Sequence, residues 1–301
     1  MKIKSTAGTT LILITVILLS SCSFNKLFLQ PTKIPGSTQK LLMKSASDTV
    51  LVLFAGTNHQ PIFIKNNTDT ISYNFTIESV LYNSKNGNTL NGWFLKPKNT
   101  TATSTLLHLH GNAGCLLSQF KAISPLAEKG FQVFMFDYSG FGFSEGKSTR
   151  NNVLTDALSS LDYLKSRDEV HNTKLLLYGQ SLGGHLAAVV AAQRSAEIDG
   201  LITEGAFSSH KDIGGHMVPV LGKIFVKQGY SALNSIREFH KPLLVIHSSE
   251  DSTVPIFMGK KIFDAANTPK EFYEIKKCHI CAPQYYPDEI SEKIKKMLIE
   301  K

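Results

Sequence analysis

Short apolar runs alternate, from about residue 103 onward, with longer stretches in which apolar positions recur every three or four residues. The runs predict strands at 103–108, 131–136, 174–178, 200–203, 243–246 and 271–275. The spaced positions predict helices after 114 to about 129, at 148–166 (Leu154, Leu158, Leu161 and Leu164), from Leu182 onward (Leu186, Val189, Val190), and at 254–266 and 290–299. Strands that alternate with helices pair in parallel, and both faces of the sheet are then covered. The predicted class is therefore α/β, a mostly parallel sheet with helices on both faces. Ahead of it, 77–82 and 89–95 flank the turn "NSKNGN", a hairpin that adds antiparallel strands at the N-terminal edge. Residues 49–54 and 61–65 predict two short strands with no evident partner. Residues 23–39 are polar and broken by Pro31 and Pro35, which suits a tether.

The first 21 residues follow a different pattern. Lys2 and Lys4 precede the nine-residue apolar run "LILITVILL" at 11–19, too short to span a bilayer comfortably. "LSSC" follows, and small residues directly before a cysteine resemble the bacterial lipoprotein box. That resemblance implies cleavage before Cys22 and lipidation of its thiol. The expected organisation is a lipoprotein signal peptide at 1–21, a tether at 22–45, and one domain at 46–301 with a small cap insert at about 207–242. The formal charge of +8 falls to +6 without Lys2 and Lys4. No Lys/Arg cluster interleaved with aromatics is present, so nucleic acid is not an expected partner. A mildly basic surface on an anchored protein suits anionic membrane better.

In α/β sheets, chemistry gathers on loops at the carboxyl ends of strands. After the strand at 103–108 stands "HGNAG", whose small residues let a backbone N–H point into a cavity, as an oxyanion hole needs. After 174–178 stands Gly179-Gln180-Ser181-Leu182-Gly183, a G-x-S-x-G at a strand-to-helix turn. Glycine at 179 and 183 avoids clashes where strand and helix cross, and the strained turn lifts the serine out of the sheet. After 243–246 stands "HSSEDSTVP" with Glu250 and Asp251, and after 271–275 stands "KKCHIC" with His279. A serine hydroxyl becomes nucleophilic when an imidazole takes its proton and an acid holds that imidazole in the right tautomer. Ser181, Asp251 and His279 supply these types in the chain order expected for such a sheet. Glu250 is the alternative acid. Asp251 also stands where it would cap the helix that follows. Of the other histidines, His110 is expected to shape its loop, His185 to pack, His247 to be structural at the end of its strand, and His216 to sit in the segment covering the site.

From about Ile77 onward the chain resembles the alpha/beta-hydrolase superfamily, in particular single-domain depalmitoylase-like and serine-aminopeptidase-like hydrolases. The phrases "LNGWFLKP", "LHLHGNAG", "FDYSGFGFSEG", "YGQSLGG" and "HSSEDSTVP", and a late histidine before "YYPDEI", carry the likeness in order. The resemblance implies Ser181 as nucleophile, Asp251 as acid and His279 as base, with the backbone N–H groups of Asn112 and Leu182 as oxyanion donors. It differs at Gln180, where relatives often have Arg, at Cys278, often Gly, and at Ile280, often Asn. Cys278 and Cys281 form a C-x-x-C without the second half of a zinc site, and two free thiols are expected there. The expected activity is ester or thioester hydrolysis through an acyl-enzyme, on a small-molecule or acylated substrate, with no cofactor or metal. The same residues suit a peptidase or amidase, and a non-catalytic binding lipoprotein is the alternative of another class. The expected location is an exported, lipid-anchored one. Ser23 is not the acidic residue associated with inner-membrane retention, which favours the periplasmic side of an outer membrane where the cell has one.

Overall fold

In the computed structural model, which describes residues 28–44, 49–65 and 69–299, the chain begins with a strap containing the two-residue strand β1 (Gln30–Pro31). The signal-peptide and Cys22 expectations lie outside the described residues. A four-stranded antiparallel sheet follows, in the order β2 (Lys40–Lys44), β3 (Thr49–Ala55), β4 (Gln60–Lys65), β5 (Asp69–Thr70). Next come the hairpin strands β6 (Phe75–Asn83) and β7 (Thr89–Pro97), then β8 (Ser104–Leu109) and the short β9 (Ala113–Gly114). The remaining strands are β10 (Gln132–Phe136), β11 (Lys174–Gln180), β12 (Gly200–Glu204), β13 (Leu243–Ser248) and β14 (Lys270–Ile275). The main sheet has eight strands in the order β14-β13-β12-β11-β8-β10-β7-β6. Its first six are parallel, and the hairpin closes the other edge antiparallel.

Among the described residues, seven helices of five residues or more are numbered α1 (Leu116–Ile123), α2 (Arg150–Lys165), α3 (Leu182–Gln193), α4 (His210–Met217), α5 (Leu221–Phe225), α6 (Ile256–Ala265) and α7 (Pro287–Ile299). Successive side chains of a strand point to opposite faces, and here both faces are buried. Leu107, Leu177, Leu201 and Val245 join one core with α2, α3 and α6. Leu106, Leu176, Ile202 and Leu244 join the other with α1, α7 and Phe63 of β4. This double burial is why the central parallel strands β8, β11 and β13 are largely apolar instead of alternating.

Four sequence expectations are revised. The helix expected up to about 129 ends at Ile123, because Pro125 has no N–H for an intrahelical bond and opens only a separate turn, Pro125–Glu128. The helix expected at 290–299 starts earlier, at Pro287, a position where the missing N–H costs nothing. The unpartnered strands at 49–54 and 61–65 pair with each other, Val52 opposite Phe63. Phe63 then stacks on Phe120 at 5.0 Å and meets Trp93 edge-on at 6.1 Å. Finally, the tether expected at 22–45 does not describe residues 28–44. Phe28, Leu29 and Ile34 are buried, and β1 pairs in parallel with β9. Polar composition misled here because the strap is held largely by its backbone.

Chain order reverses beside β8. After β8 the chain adds β10 on one side, then returns to add β11 on the other. The carboxyl ends of β8 and β11 therefore frame the crevice where ligands bind in sheets of this kind. Between β12 and β13 the chain leaves the sheet as the α4–α5 hairpin. A Cβ on Gly222 would stand 1.9 Å from the Gly214 carbonyl oxygen, so the two helices cross backbone to backbone.

Candidate active site

Ser181 is the residue between β11 and α3, and its backbone is left-handed, φ 56°. A non-glycine residue holds that conformation only when the surroundings impose it. The glycines beside it show how. A Cβ on Gly183 would lie 1.8 Å from the Leu109 carbonyl oxygen, and one on Gly179 would lie 2.3 Å from that of Gly183. The turn is thus compressed against the end of β8, and the Ser181 N–H is tied to the Glu204 carbonyl at 2.8 Å. Ser181 is mostly buried.

Its hydroxyl lies 2.8 Å from His279 Nε2, and His279 Nδ1 lies 2.5 Å from Asp251 Oδ2. With the Nδ1–H donated to the carboxylate, Nε2 is left to accept the Ser181 proton. The second Asp251 oxygen accepts from the Thr253 and Val254 N–H groups at 2.9 and 2.8 Å. Burial alone would raise the Asp251 carboxyl. Hydrogen bonds from His247, His279 and the Val254 N–H outweigh it and hold the group well below the usual carboxylate range. The choice between the two acids is decided by geometry. Glu250 turns outward and accepts the Lys277 N–H at 2.9 Å, away from the imidazole.

The loop carrying His279 is fixed from several directions. Lys277, itself at φ 85°, is held by Glu250 and accepts from Ser248 Oγ at 2.9 Å. Cys278 and Cys281 are joined in a disulfide that brackets the histidine. The expectation of two free thiols is therefore corrected: the turn brings the Cα atoms to 5.9 Å, inside the bonding range. On the far side of the loop, buried Glu204 accepts the Ala282 N–H at 2.7 Å. Its other oxygen accepts from Tyr178 OH and from Gln180 Nε2, both at 2.8 Å. Gln180 Oε1 accepts from His108 Nε2 at 2.9 Å. Burial raises the Glu204 carboxyl, though its hydrogen bonds oppose the shift. This network joins the elbow to the histidine loop beneath Ser181. Glu204 escaped the sequence argument because it ends an apolar strand and belongs to no motif.

The "HGNAG" loop lies directly against the serine: a Cβ on Gly111 would be 3.7 Å from Ser181 Cβ. Asn112 follows, and Leu182, the first residue of α3, has one of the helix-end N–H groups without an intrahelical acceptor. The strap clamps this loop. Gln30 N–H donates to the Asn112 carbonyl and Thr32 N–H to that of Gly114, both at 2.8 Å. Thr32 and Ile34 also bond Gly142 of the next loop, and Lys33 reaches the Ser144 carbonyl. Phe28 closes the strap by packing on Phe207 and His210.

The remaining histidines divide by burial. His110 is enclosed by Tyr138 and Phe141, and burial pushes it down to about 3. His185 bonds the Phe207 carbonyl at 2.9 Å and stacks on its ring, and burial lowers it to about 4. His216 is exposed. His247 is buried, its Nε2 bonds the Val254 carbonyl at 2.8 Å, and it stands 3.5 Å from Asp251 Oδ2. Cys115 is free, and burial raises its thiol to about 12. Among the described residues, no three His, Cys, Asp or Glu side chains are grouped as a metal ion would need.

Comparison with known proteins matches residues 104–228 to the family described by the alpha/beta hydrolase fold. The uncharacterized protein YfhR of Escherichia coli (strain K12) is 35% identical over 202 residues, 65% of this chain and 70% of that protein. Protein bem46 of Schizosaccharomyces pombe is 28% identical over 217 residues, 68% of this chain and 71% of that protein. Among solved structures, the Pyrococcus furiosus esterase Pf2001 superposes with a TM-score of 0.61 at 20% identity, covering 75% of this chain and 92% of that one. At that identity the likeness speaks for the fold.

Proposed function

The chain belongs to the alpha/beta hydrolase superfamily, and from that premise we propose that it is a serine hydrolase cleaving an ester or thioester. The observation that carries this reading is the continuous chain Ser181 Oγ–His279–Asp251, at 2.8 and 2.5 Å, ending on a serine forced to positive φ. Ser181 Oγ attacks the substrate carbonyl as His279 Nε2 takes its proton. Ionised Asp251 holds the imidazole and stabilises the imidazolium. The N–H groups of Asn112 and Leu182 receive the oxyanion, each worth about 100- to 1000-fold in rate. His279 then returns the proton to the leaving alcohol or thiol. Water activated by the same imidazole attacks the acyl-enzyme, and His279 protonates Ser181 as the acid departs.

The leader grammar around Cys22 supports an exported, lipid-anchored protein, held on the periplasmic side of an outer membrane where the cell has one. Among the described residues no helix is long and apolar enough to cross a membrane. The activity is tested by comparing turnover of a matched ester, thioester and amino-acid amide. Preference for ester or thioester fits the proposal. A clear preference for the amide assigns the same triad to a peptidase, and ligand binding without turnover assigns the chain to a binding protein.

A further inference from the structure

The run "MVPVLGKIFV" at 217–226 suggests the lining of an acyl groove, but the structure turns much of it outward. Met217 is 45% exposed, Val218 39%, Val220 73%, Leu221 53% and Ile224 67%. Together they form an apolar ridge along the end of α4, the connection and α5. Solvent-facing apolar residues scattered singly need no explanation, but five within eight positions of one hairpin do. The ridge is not an end of the core, because the buried residues Ile213 and Val226 already seat the hairpin on it.

Its surroundings identify the partner. Lys211, Lys223 and Lys227 lie on the same hairpin, and among the described residues none of the three makes an ion pair. The single acid of the segment, Asp212, is engaged by Ser208 at 2.6 Å and by Lys261 at 3.1 Å. Apolar side chains beside three exposed lysines, with a single acid that already holds Lys261, match a bilayer interface with anionic headgroups. The position of the strap agrees. Six residues lead from Cys22 to Phe28, a reach of at most about 20 Å. The Phe28 ring is docked 5.3 Å from that of His210, the first residue of α4. From there α4 rises about 12 Å to the ridge. A lipid on Cys22 would therefore hold this hairpin, and not the opposite end of the sheet, toward the membrane.

We propose that the apolar ridge of the α4–α5 hairpin is a docking face for an anionic phospholipid surface, so that Ser181 works on acyl esters or thioesters presented at that surface. The inference rests on the membrane-anchored reading above. The hairpin springs from the carboxyl end of β12, where a Cβ on Gly205 would stand 3.0 Å from the His279 ring, so docking brings the triad to the interface.

The test places a tryptophan on the ridge of the full chain, Leu221→Trp, with Ile224→Trp as a second reporter. Ile299→Trp is the reference. It lies at the end of α7, at the amino end of the sheet, and Ile299 is 79% exposed. Trp93, the chain's single tryptophan, is buried and gives a constant background. Each protein is mixed with phosphatidylglycerol–phosphatidylcholine vesicles carrying brominated acyl chains. The ridge reporters should lose most of their added emission while Ile299→Trp keeps its own, and pure phosphatidylcholine should quench less. Equal quenching at ridge and reference, no quenching at either ridge position, or no dependence on anionic lipid would each overturn the proposal. So would a vesicle-free dimer abolished by Leu221→Glu, which would give the face to a second copy. Fluorophosphonate labelling is read on the same samples. A labelled but unquenched protein defeats the docking face and leaves the hydrolase standing.

Discussion

The loops carrying Ser181, Asp251 and His279 and the strap from Phe28 to Ile34 meet around one serine, and they are built differently. Each of the three loops leaves the carboxyl end of a parallel strand, and each side chain is held through its own polar atoms. The strap contains a two-residue strand, and most of its bonds run from backbone to backbone: Gln30 to Asn112, Thr32 to Gly114, Ile34 to Gly142. The first arrangement fixes reactive atoms. The second fixes the backbone of the loop that lies against Ser181. The difference implies that damage at the triad is chemical and complete, whereas damage at the strap is graded and local.

The comparison is broken first at the triad. Ser181→Ala should lower kcat at least about 10,000-fold, and Asp251→Asn about as much by releasing the wrong tautomer, with unchanged thermal unfolding. Retained turnover in either would place the chemistry elsewhere. His247→Ala should cost about 10- to 100-fold in kcat, because Asp251 then loses a partner that fixes its angle to His279. A loss of stability without a loss of kcat would leave His247 a purely structural role. Phe28→Ala should act more weakly on turnover. It should raise amide exchange at Gln30 and Thr32 while leaving the central strands protected, whereas Phe63→Ala should destabilise the whole domain by about 3–5 kcal/mol. Global unfolding in Phe28→Ala would show that the strap is no separate layer.

The smallest effect on turnover is expected at Asp137, which accepts the Leu116 N–H at 2.8 Å and feels the charge of Lys33 in the strap. Burial raises its carboxyl to about 8, with the Leu116 N–H and the Lys33 charge opposing. The folded state therefore keeps a proton that the unfolded chain releases near 3.8. Its contribution to stability is complete below that pH and is lost as pH rises toward about 8. Asp137→Asn should flatten that part of the Tm-against-pH curve. An unchanged slope would mean that Asp137 is ionised in the fold.

Legibility in the sequence follows the same division. The parallel strands, the elbow and the order of Ser181, Asp251 and His279 are visible because they depend on residue type: apolar runs, glycines at forced contacts, one acid and one base after successive strands. Asp251 is favoured over Glu250 in the sequence, and the turn of the loop brings it to His279 Nδ1 while Glu250 accepts from Lys277. Glu204 is hidden because its partners Tyr178, Gln180 and Ala282 stand far from it along the chain. The strap is hidden most deeply. A segment held by its own N–H and C=O groups needs no particular side chains, and prolines at 31 and 35 suit a clamp as well as a tether. The Cys278–Cys281 bond was underestimated for a related reason: spacing in sequence does not report how tightly a turn closes.

Whether Ser181 is an activated nucleophile is read from labelling with a fluorophosphonate probe. The wild-type chain should label rapidly at Ser181, and labelling should vanish in Ser181→Ala and in His279→Ala. A folded wild-type protein that stays unlabelled, or a label that survives Ser181→Ala, would contradict the account.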